Sequence, residues 1–533
     1  MKELDVEVLV VGGGPVGLCA AIELSRHGIS TLLVERRSGT SIFPKARLVT
    51  TRTMELLRAW GLQEEVESAG MPREQYLAVG VGSSLTAGDF VRASAELERD
   101  APQSPTYTHL CAQDVLEVIL RRLAGSLADV RFGTAMTRMT VTGSGVEALV
   151  EGVEPVLVRC RYLVAADGSR SGIRESLGIA AEGPPPLGHM ISIMFEADLG
   201  FLPAERRAAL SFLTDPPCAV EAVDHRLRWM VQTGYDPARG GGPEDFTEEV
   251  CLRAVRAAVG VPDLPVTLLG VMPWLQQANL ATAFRAGPVF LAGDAAHVAT
   301  PQGGFGMNCG IQDAHNLAWK LAAVLRGQAG ERLLDTYETE RRPIAARTVQ
   351  ESLTNARITW EMMEGRLSMA EAIRRQADRR SSEGLVLGHH YDSDGVVPDG
   401  TAPPAAQDPY RDYVPTARPG HRAPHVWLTC GDGRVSTLDL LGPHFTLLTP
   451  AGSGWLQAAA GLPVRAAEIA EAETDGAAAP SWVSPTWAKE YGLGPRGAVL
   501  VRPDGHVAWR VREDTPSPGA LETVLATVLA RHR

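Results

Sequence analysis

Three glycine-and-carboxylate groupings, far apart in the chain, carry the residue types that suit a nucleotide joined to a flat ring system. The first is Gly12-Gly13-Gly14-Pro15-Val16-Gly17, which fits G-x-G-x-x-G, with Glu35 downstream. At this spacing Gly12 permits a tight turn, Gly14 lets backbone approach a pyrophosphate, and Gly17 lets a helix pack closely on a strand. A helix opening here offers unpaired N–H groups and the positive end of its dipole to phosphate. Glu35 can accept hydrogen bonds from ribose hydroxyls, and an acid there rather than an Arg favours FAD or NAD over NADP. The second grouping is Asp167-Gly168, where an apolar run from Tyr162 meets a turn followed by Arg170 and Arg174. The third is Gly293-Asp294, which ends a short apolar run from Val289, followed by the bare loop Pro301-Gln302-Gly303-Gly304-Phe305-Gly306-Met307-Asn308. A carboxylate at a strand end beside such a loop narrows the ligand from any dinucleotide to a flavin.

These groups need a parallel sheet with helices to hold them. Val6 to Val11 reads as a buried strand, a helix runs from about Val16 to His27 with Gly28 as its stop, and Ser30 to Val34 is a second strand ending in Glu35. Strand, loop, helix, strand and acid in this order make a βαβ unit rather than an accidental glycine run. After Asp313, apolar residues at Ala314, Leu317, Ala318, Leu321, Val324 and Leu325 keep the helical period. Strand-like runs at His189 to Phe195, Ala219 to Val223, Arg228 to Thr233 and Val266 to Met272, with residues 76–108, predict a sheet lying over the ligand. Its candidate pocket residues are Tyr107, Phe212, His225, Arg228, Trp229, Met230 and Trp274. Gly395 to Pro424 is Pro-rich and reads as a linker. Beyond it lie a strand at Phe445 to Leu448, a hairpin around Pro503-Asp504-Gly505 and a last helix.

Composition removes several function classes. The net charge is −12 with no basic stripe, which argues against nucleic acid and an anionic membrane surface. No run of about 18 apolar residues is present to span a bilayer. The apolar start from Val6 is flanked by Asp5 and Glu7 and broken by glycines, so it is not read as a signal peptide. Seven scattered cysteines form neither C-x-x-C nor a metal-ligand spacing, which predicts reduced thiols, a cytoplasmic setting and no metal.

The N-terminal fingerprint, Asp167-Gly168 and Gly293-Asp294 together resemble the class A flavoprotein monooxygenases, the aromatic hydroxylases. The resemblance is closest to bacterial polyketide and antibiotic-tailoring hydroxylases and covers essentially the whole chain. Arg52-Thr53-Met54-Glu55-Leu56-Leu57-Arg58-Ala59-Trp60-Gly61-Leu62 is similar to the family's helix after the flavin-contact loop, and Leu110 to Glu117 resembles the helix whose Gln touches FAD. The implied fold is α/β: a Rossmann-like FAD-binding domain of the p-hydroxybenzoate hydroxylase type, an inserted β-rich substrate domain and a C-terminal thioredoxin-like domain. The expected division is 1–75, 110–180 and 282–395 for FAD, 76–109 and 181–281 for substrate, 396–424 as linker and 425–533 as the last domain.

Carried onto this sequence, the resemblance places Gly12, Gly14, Pro15, Val16, Gly17, Glu35 and Arg36 around the ADP half of FAD. Lys45, Arg47 and Gln113 fall near the pyrophosphate or ribityl region, and Asp167 with Gly168 in contact with FAD and NAD(P)H. Gly293 and Asp294 bind the ribityl chain, while Pro301, Gly304, Gly306, Met307 and Asn308 lie against the ring. Pro301, Arg47 and His225 are the catalytic candidates, and Tyr107, Phe212, Arg228, Met230 and Trp274 the substrate-binding ones. The family usually has Arg where this chain has Lys45, which keeps the charge but loses the planar fork; either a point charge suffices or Arg47 takes over.

The implied activity is NAD(P)H- and O2-dependent hydroxylation of an aromatic or phenolic polyketide through a flavin hydroperoxide. The substrate is a small aromatic molecule, free or carrier-protein-bound, and the enzyme a monomer or homodimer. With no second G-x-G-x-x-G, the nicotinamide is expected to bind transiently. An oxidase or oxidative decarboxylase on the same scaffold is the alternative, and a non-catalytic flavoprotein a second one, against which the intact loop from Pro301 to Asn308 speaks. The C-terminal domain lacks C-x-x-C, so thiol redox work is excluded there.

Overall fold

The structure, a computed structural model, describes residues 2–72, 78–94, 103–224, 226–363, 366–367, 371, 374–375, 379, 381–431, 433–472 and 482–531. His225, one of the catalytic candidates, lies outside the described residues.

The apolar run of the strand Lys2–Val11 is explained by its place in mid-sheet. It pairs in parallel with Thr31–Glu35 on one side and Pro155–Ala165 on the other, and Val8, Leu9 and Val10 have no solvent exposure. Val289–Leu291 adds a further parallel strand beside Pro155–Ala165. The registers align Val11 with Val34, Val11 with Ala165, and Ala165 with Leu291. All four strands therefore end at one edge, and the three groupings that follow them meet there. In open parallel sheets ligands bind along this carboxyl edge. Helices α1 (Pro15–Arg26), α2 (Thr51–Ala59) and α3 (Gln113–Leu127) belong to this unit. An antiparallel hairpin, Ala135–Thr142 and Gly145–Glu151, extends it beside Pro155–Ala165.

A second sheet runs in the order Thr267–Gln276, Gly188–Glu196, Arg228–Tyr235, Pro217–Ala222, Leu210–Thr214, Ala78–Gly82, Val91–Ser94. The strand Leu210–Thr214 and helix α4 (Glu248–Val259) go beyond the runs read from the sequence. Helix α4 is capped by the Thr247 side chain and stopped by Gly260 at φ 81. It buries Cys251, Val255 and Val259 against Ile191, Ile193, Phe195, Val220 and Val231. By strand alternation the opposite face carries Met190, Ser192, Phe212, Met230 and Trp274.

The chain returns through α5 (Phe305–Leu325) and α6 (Asp335–Met363). The Pro-rich stretch at 396–424 is not a solvated tether, because Tyr410, Tyr413, Ala417 and Arg422 within it are buried. The last module is thioredoxin-like: a parallel pair, Phe445–Pro450 with Val464–Ala470, continued antiparallel by Ala498–Val501 and Val507–Val511. It shares a core with the first unit, since Trp319 and Leu333 pack with Phe445, Trp455, Leu500 and Leu525. Among the described residues, no helix is long and apolar enough to cross a membrane.

Candidate active site

The phosphate end of the cleft is built by three glycines with different reasons for being glycine. Gly12 sits at φ +115, where an added Cβ would lie 2.2 Å from the Ala166 carbonyl oxygen. A Cβ on Gly17 would lie 1.9 Å from the Gly12 carbonyl oxygen. Gly14 has nothing within 4 Å of its Cβ position, so its bareness serves whatever approaches from the cleft. The first turn of α1 has no acidic residue and no side-chain cap, which leaves its N–H groups open to an anion. Glu35 Oε2 accepts from the Gly13 N–H at 2.7 Å and Oε1 from the Arg37 N–H at 2.9 Å, aiming the carboxylate at the loop. Arg36 beside it is exposed.

In mid-cleft, Asp294 is reached by solvent, yet burial among the surrounding atoms pushes its pKa up against the pull of His297 and Lys45. Lys45 has the matching character: it is accessible, but burial and Arg37 lower its pKa while Glu117, Asp294 and Glu35 pull it back. Groups both accessible and crowded line an internal cleft. Lys45 thus feels the carboxylates Glu117, Asp294 and Glu35, and a cation there suits a pyrophosphate. Asp167 accepts from the Ile173 N–H through Oδ2 at 3.3 Å, while its buried Oδ1 has no partner among the described residues, and burial raises its pKa. Gly168 next to it sits at φ +89 with open space at its Cβ position. Gln113 donates to Glu117 at 2.6 Å, and its N–H donates to the Ala46 carbonyl at 2.8 Å. The contact loop is thereby tied to the start of α3.

The place expected for the ring is the start of α5. Gly303 and Gly304 take φ +105 and +66, and the Gly304 N–H closes a turn on the Pro301 carbonyl at 2.9 Å. Pro301 is exposed, Met307 is half-buried, and a Cβ on Gly306 would meet only Ala299 and Asp294, at 3.9 and 4.0 Å. Asn308 is buried as a bracket: it accepts from the Thr50 N–H at 2.9 Å and donates to the Leu48 and Gly304 carbonyls at 2.8 and 2.7 Å. Gly293, at φ +60, lies where a Cβ would press on Val16, which joins the third grouping to the first. An open glycine, an orphaned Asp167 oxygen, a cation that feels nearby carboxylates and an acid-free helix start fit an extended FAD.

Both arginine candidates are already engaged in ion pairs. Arg47 does not face the pyrophosphate as a free cation, because its guanidinium is spent on Glu221 at 2.9 Å and on the Ala209 and Ala222 carbonyls. It straps the contact loop to the second sheet. Arg228, a substrate-binding candidate, pairs with Asp114 at 2.8 Å, beside Gln113. Phe212 packs with Val81 and Met362, and Met230 with Ala112 and Val223. Trp274 donates to Ser192 Oγ at 3.0 Å, and Tyr107 is half-buried ahead of the short strand His109–Leu110. Trp229 instead turns toward the α4 side and donates to the Ala197 carbonyl. Gln276, absent from the expectations, donates to Gln302 at 2.9 Å and joins the second sheet to the ring loop.

Also unread in the sequence was a buried charge network along α5. Asp313 accepts from His297 at 2.6 Å, from Arg341 at 2.8 Å and from the Gly293 N–H at 3.1 Å. His297, Cys309 and Asp313 have metal-ligand chemistry, but the Arg341 guanidinium bonds both Asp313 and Cys309 and supplies the cation there. The one available signal was polar residues at 313, 316 and 320, spaced along the stripe where α5 is otherwise apolar.

Fold and cleft together define a flavoprotein that holds FAD across the carboxyl edge of a parallel sheet. The family model described as FAD binding domain matches residues 5–352, and the aromatic-ring hydroxylase C-terminal domain matches 416–531. Tetracenomycin A2 monooxygenase-dioxygenase of Streptomyces glaucescens is 40% identical over 575 residues, covering 100% of this chain and 98% of the relative. Aklavinone 12-hydroxylase RdmE of Streptomyces purpurascens is 37% identical over 557 residues, with 100% of both chains covered. The solved structure of the flavin-dependent monooxygenase PieE with FAD and substrate superposes with a TM-score of 0.89 at 32% identity, covering 100% of both chains. That of aklavinone-11 hydroxylase with FAD and aklavinone gives 0.86 at 35%, again over 100% of both. The chain belongs to the FAD-binding aromatic-ring hydroxylases. It is an FAD-dependent monooxygenase, with NAD(P)H as co-substrate, acting on an aromatic ring.

Proposed function

We propose that the substrate is a flat polycyclic phenol of polyketide origin, hydroxylated during assembly of an antibiotic. The observation that carries this is the face of the second sheet opposite α4, which carries Met190, Met230, Phe212 and Trp274, while Arg228 on that sheet and Arg47 of the contact loop are already paired. Thioethers and aromatic rings adapt to a broad apolar ring system. The relatives named for tetracenomycin and aklavinone act on molecules of this kind.

FAD, when bound and reduced by NAD(P)H, supplies the activated oxygen. The chain's own residues then have distinct tasks. The α1 N-terminus and Lys45 neutralise the pyrophosphate, Glu35 holds the adenosine ribose, and Asp294 holds a ribityl hydroxyl. The positive end of α5 would lie toward the ring and would stabilise negative charge there. Phe43 packs against Gly270 of the second sheet, and Gln276 with Gln302 joins that sheet to the loop before α5. We assign residues 1–75, 110–180 and 282–395 to FAD, 76–109 and 181–281 to substrate, and the protein to the cytoplasm.

Purified holoenzyme, offered a panel of free and carrier-bound polycyclic phenols, should speed NAD(P)H oxidation and give products heavier by one oxygen atom. Faster oxidation only with single-ring acids would refute the polycyclic assignment.

A further inference from the structure

We infer, on the placement of the flavin ring at the first turn of α5, that Asp504 of the C-terminal module is a positioning residue for that helix. Asp504 sits in the turn between Ala498–Val501 and Val507–Val511, yet it is only 1% exposed because the turn is driven into the first unit. Its Oδ2 accepts from Asn316 Nδ2 at 3.1 Å and from Trp319 Nε1 at 3.2 Å, both on α5. Its backbone carbonyl accepts from Arg52 of α2 at 2.7 Å. Arg502 bonds Asp504 and also forks onto Glu340 of α6 at 2.6 and 2.8 Å. Glu340 in turn accepts from Asn316 and Lys320 of α5, each at 2.7 Å.

The second fixing point on α5 leads back to the same turn. Asp313 is held by Arg341, whose guanidinium also bonds the Tyr391 hydroxyl at 3.2 Å, and the Tyr391 ring lies 4.1 Å from that of His506. Asp313 also accepts from the N–H of Gly293, next to Asp294. Asp313, Asn316 and Lys320 recur at helical spacing, so one face of α5 is pinned by charge along its length.

A fully buried ion network is weak evidence for stability, since apolar packing would serve as well or better. What it supplies is register, because each buried charge has one acceptable partner geometry. A helix moves as a rod, and Asn316 lies about 15 Å along the axis from Gly306. Displacement at Asp504 therefore reaches the ring.

The test uses the full chain. Asp504→Ala should weaken FAD binding about tenfold in a fluorescence titration, the scale of coupling through packed networks. It should also move the visible flavin bands and raise the share of NAD(P)H electrons lost as peroxide. Asp504→Asn, which keeps one acceptor oxygen, should fall between. Ile469→Ala empties a core position of the same module away from α5 and should lower the melting temperature with FAD affinity and spectrum unmoved. Should Asp504→Ala not fold, Asn316→Ala cuts the helix side of the same contact and should shift FAD affinity in the same direction. Unmoved FAD affinity and spectrum in the folded variants, or an equal shift in Ile469→Ala, overturns the inference. Gly306→Val, which fills open space at the ring position, separates the two readings. If it abolishes FAD binding while the Asp504 and Asn316 variants do not shift it, the positioning role alone fails; if it leaves FAD binding intact, the ring placement fails.

Discussion

Replacing Arg47 by Met separates a strap from a cofactor ligand. The guanidinium joins the contact loop to Glu221, with side chains 11% and 16% exposed, and also bonds the Ala209 and Ala222 carbonyls. Breaking a buried pair costs about 3–5 kcal/mol, most of it from the stranded charge. Glu221 keeps some solvent, and the Ala209 carbonyl keeps the Ala222 N–H at 3.1 Å, so the cost belongs near about 3 kcal/mol. In a double-mutant cycle with Glu221→Gln, urea unfolding followed by tryptophan fluorescence should give a coupling of about 2 kcal/mol. FAD affinity should stay within about twofold for Arg47→Met, because no donor is taken from the cofactor. Lys45→Met should weaken FAD about tenfold, the loss of one charge-assisted contact to a phosphate. Peroxide yield should rise in Arg47→Met as the loop loosens from the second sheet. The reasoning is refuted if Arg47→Met weakens FAD as much as Lys45→Met does and shows no coupling to Glu221.

Gly14→Ala should leave the melting temperature unchanged and destroy FAD binding, whereas Gly17→Ala should prevent folding, because only the first has open space at its Cβ position. Asp294→Ala should weaken FAD retention by about tenfold to a hundredfold, the value of one to two hydrogen bonds to a charged group, read by fluorescence titration. Stability should decline in acid. Burial holds His27 down to about 4, His421 to about 3 and His425 to about 4, while the unfolded chain titrates near 6.5. Each binds its proton more readily unfolded, so stability is full above about pH 6.5 and falls below it by at most about 1.4 kcal/mol per pH unit per histidine. His297 has the opposite sign: burial opposes its charge, but Cys309 and Asp313 overcome it, so its contribution fades only as pH rises. A melting temperature that stays flat from pH 7 to 5 would contradict this.

The cofactor edge was legible because each of its parts is local. A tight turn, a strand end and a glycine loop are written in a few consecutive residues, and the parallel registers then place Gly12, Asp167 and Asp294 side by side without further instruction. What escaped was decided by partners distant in sequence. Nothing near Arg47 announces Glu221, and nothing near Arg228 announces Asp114, so neither ion pair could be read from the sequence. Asp504 looked like an ordinary hairpin turn residue, whereas its partners lie on α5 and in the Arg502 side chain. Helix α4 was recoverable from Thr247, the spacing of Cys251, Val255 and Val259, and Gly260, but strand-like neighbours masked it. The pocket was the least legible part, since Met190 and Phe212 face it only through strand alternation in a sheet whose order crosses the chain several times.

The most direct test of the account is turnover under isotopically labelled dioxygen, with NAD(P)H and a polycyclic phenol. One labelled oxygen atom should enter the product for each NAD(P)H consumed, and no labelled product should form once FAD is removed. Product that lacks the label, or forms at the same rate without FAD, would contradict it.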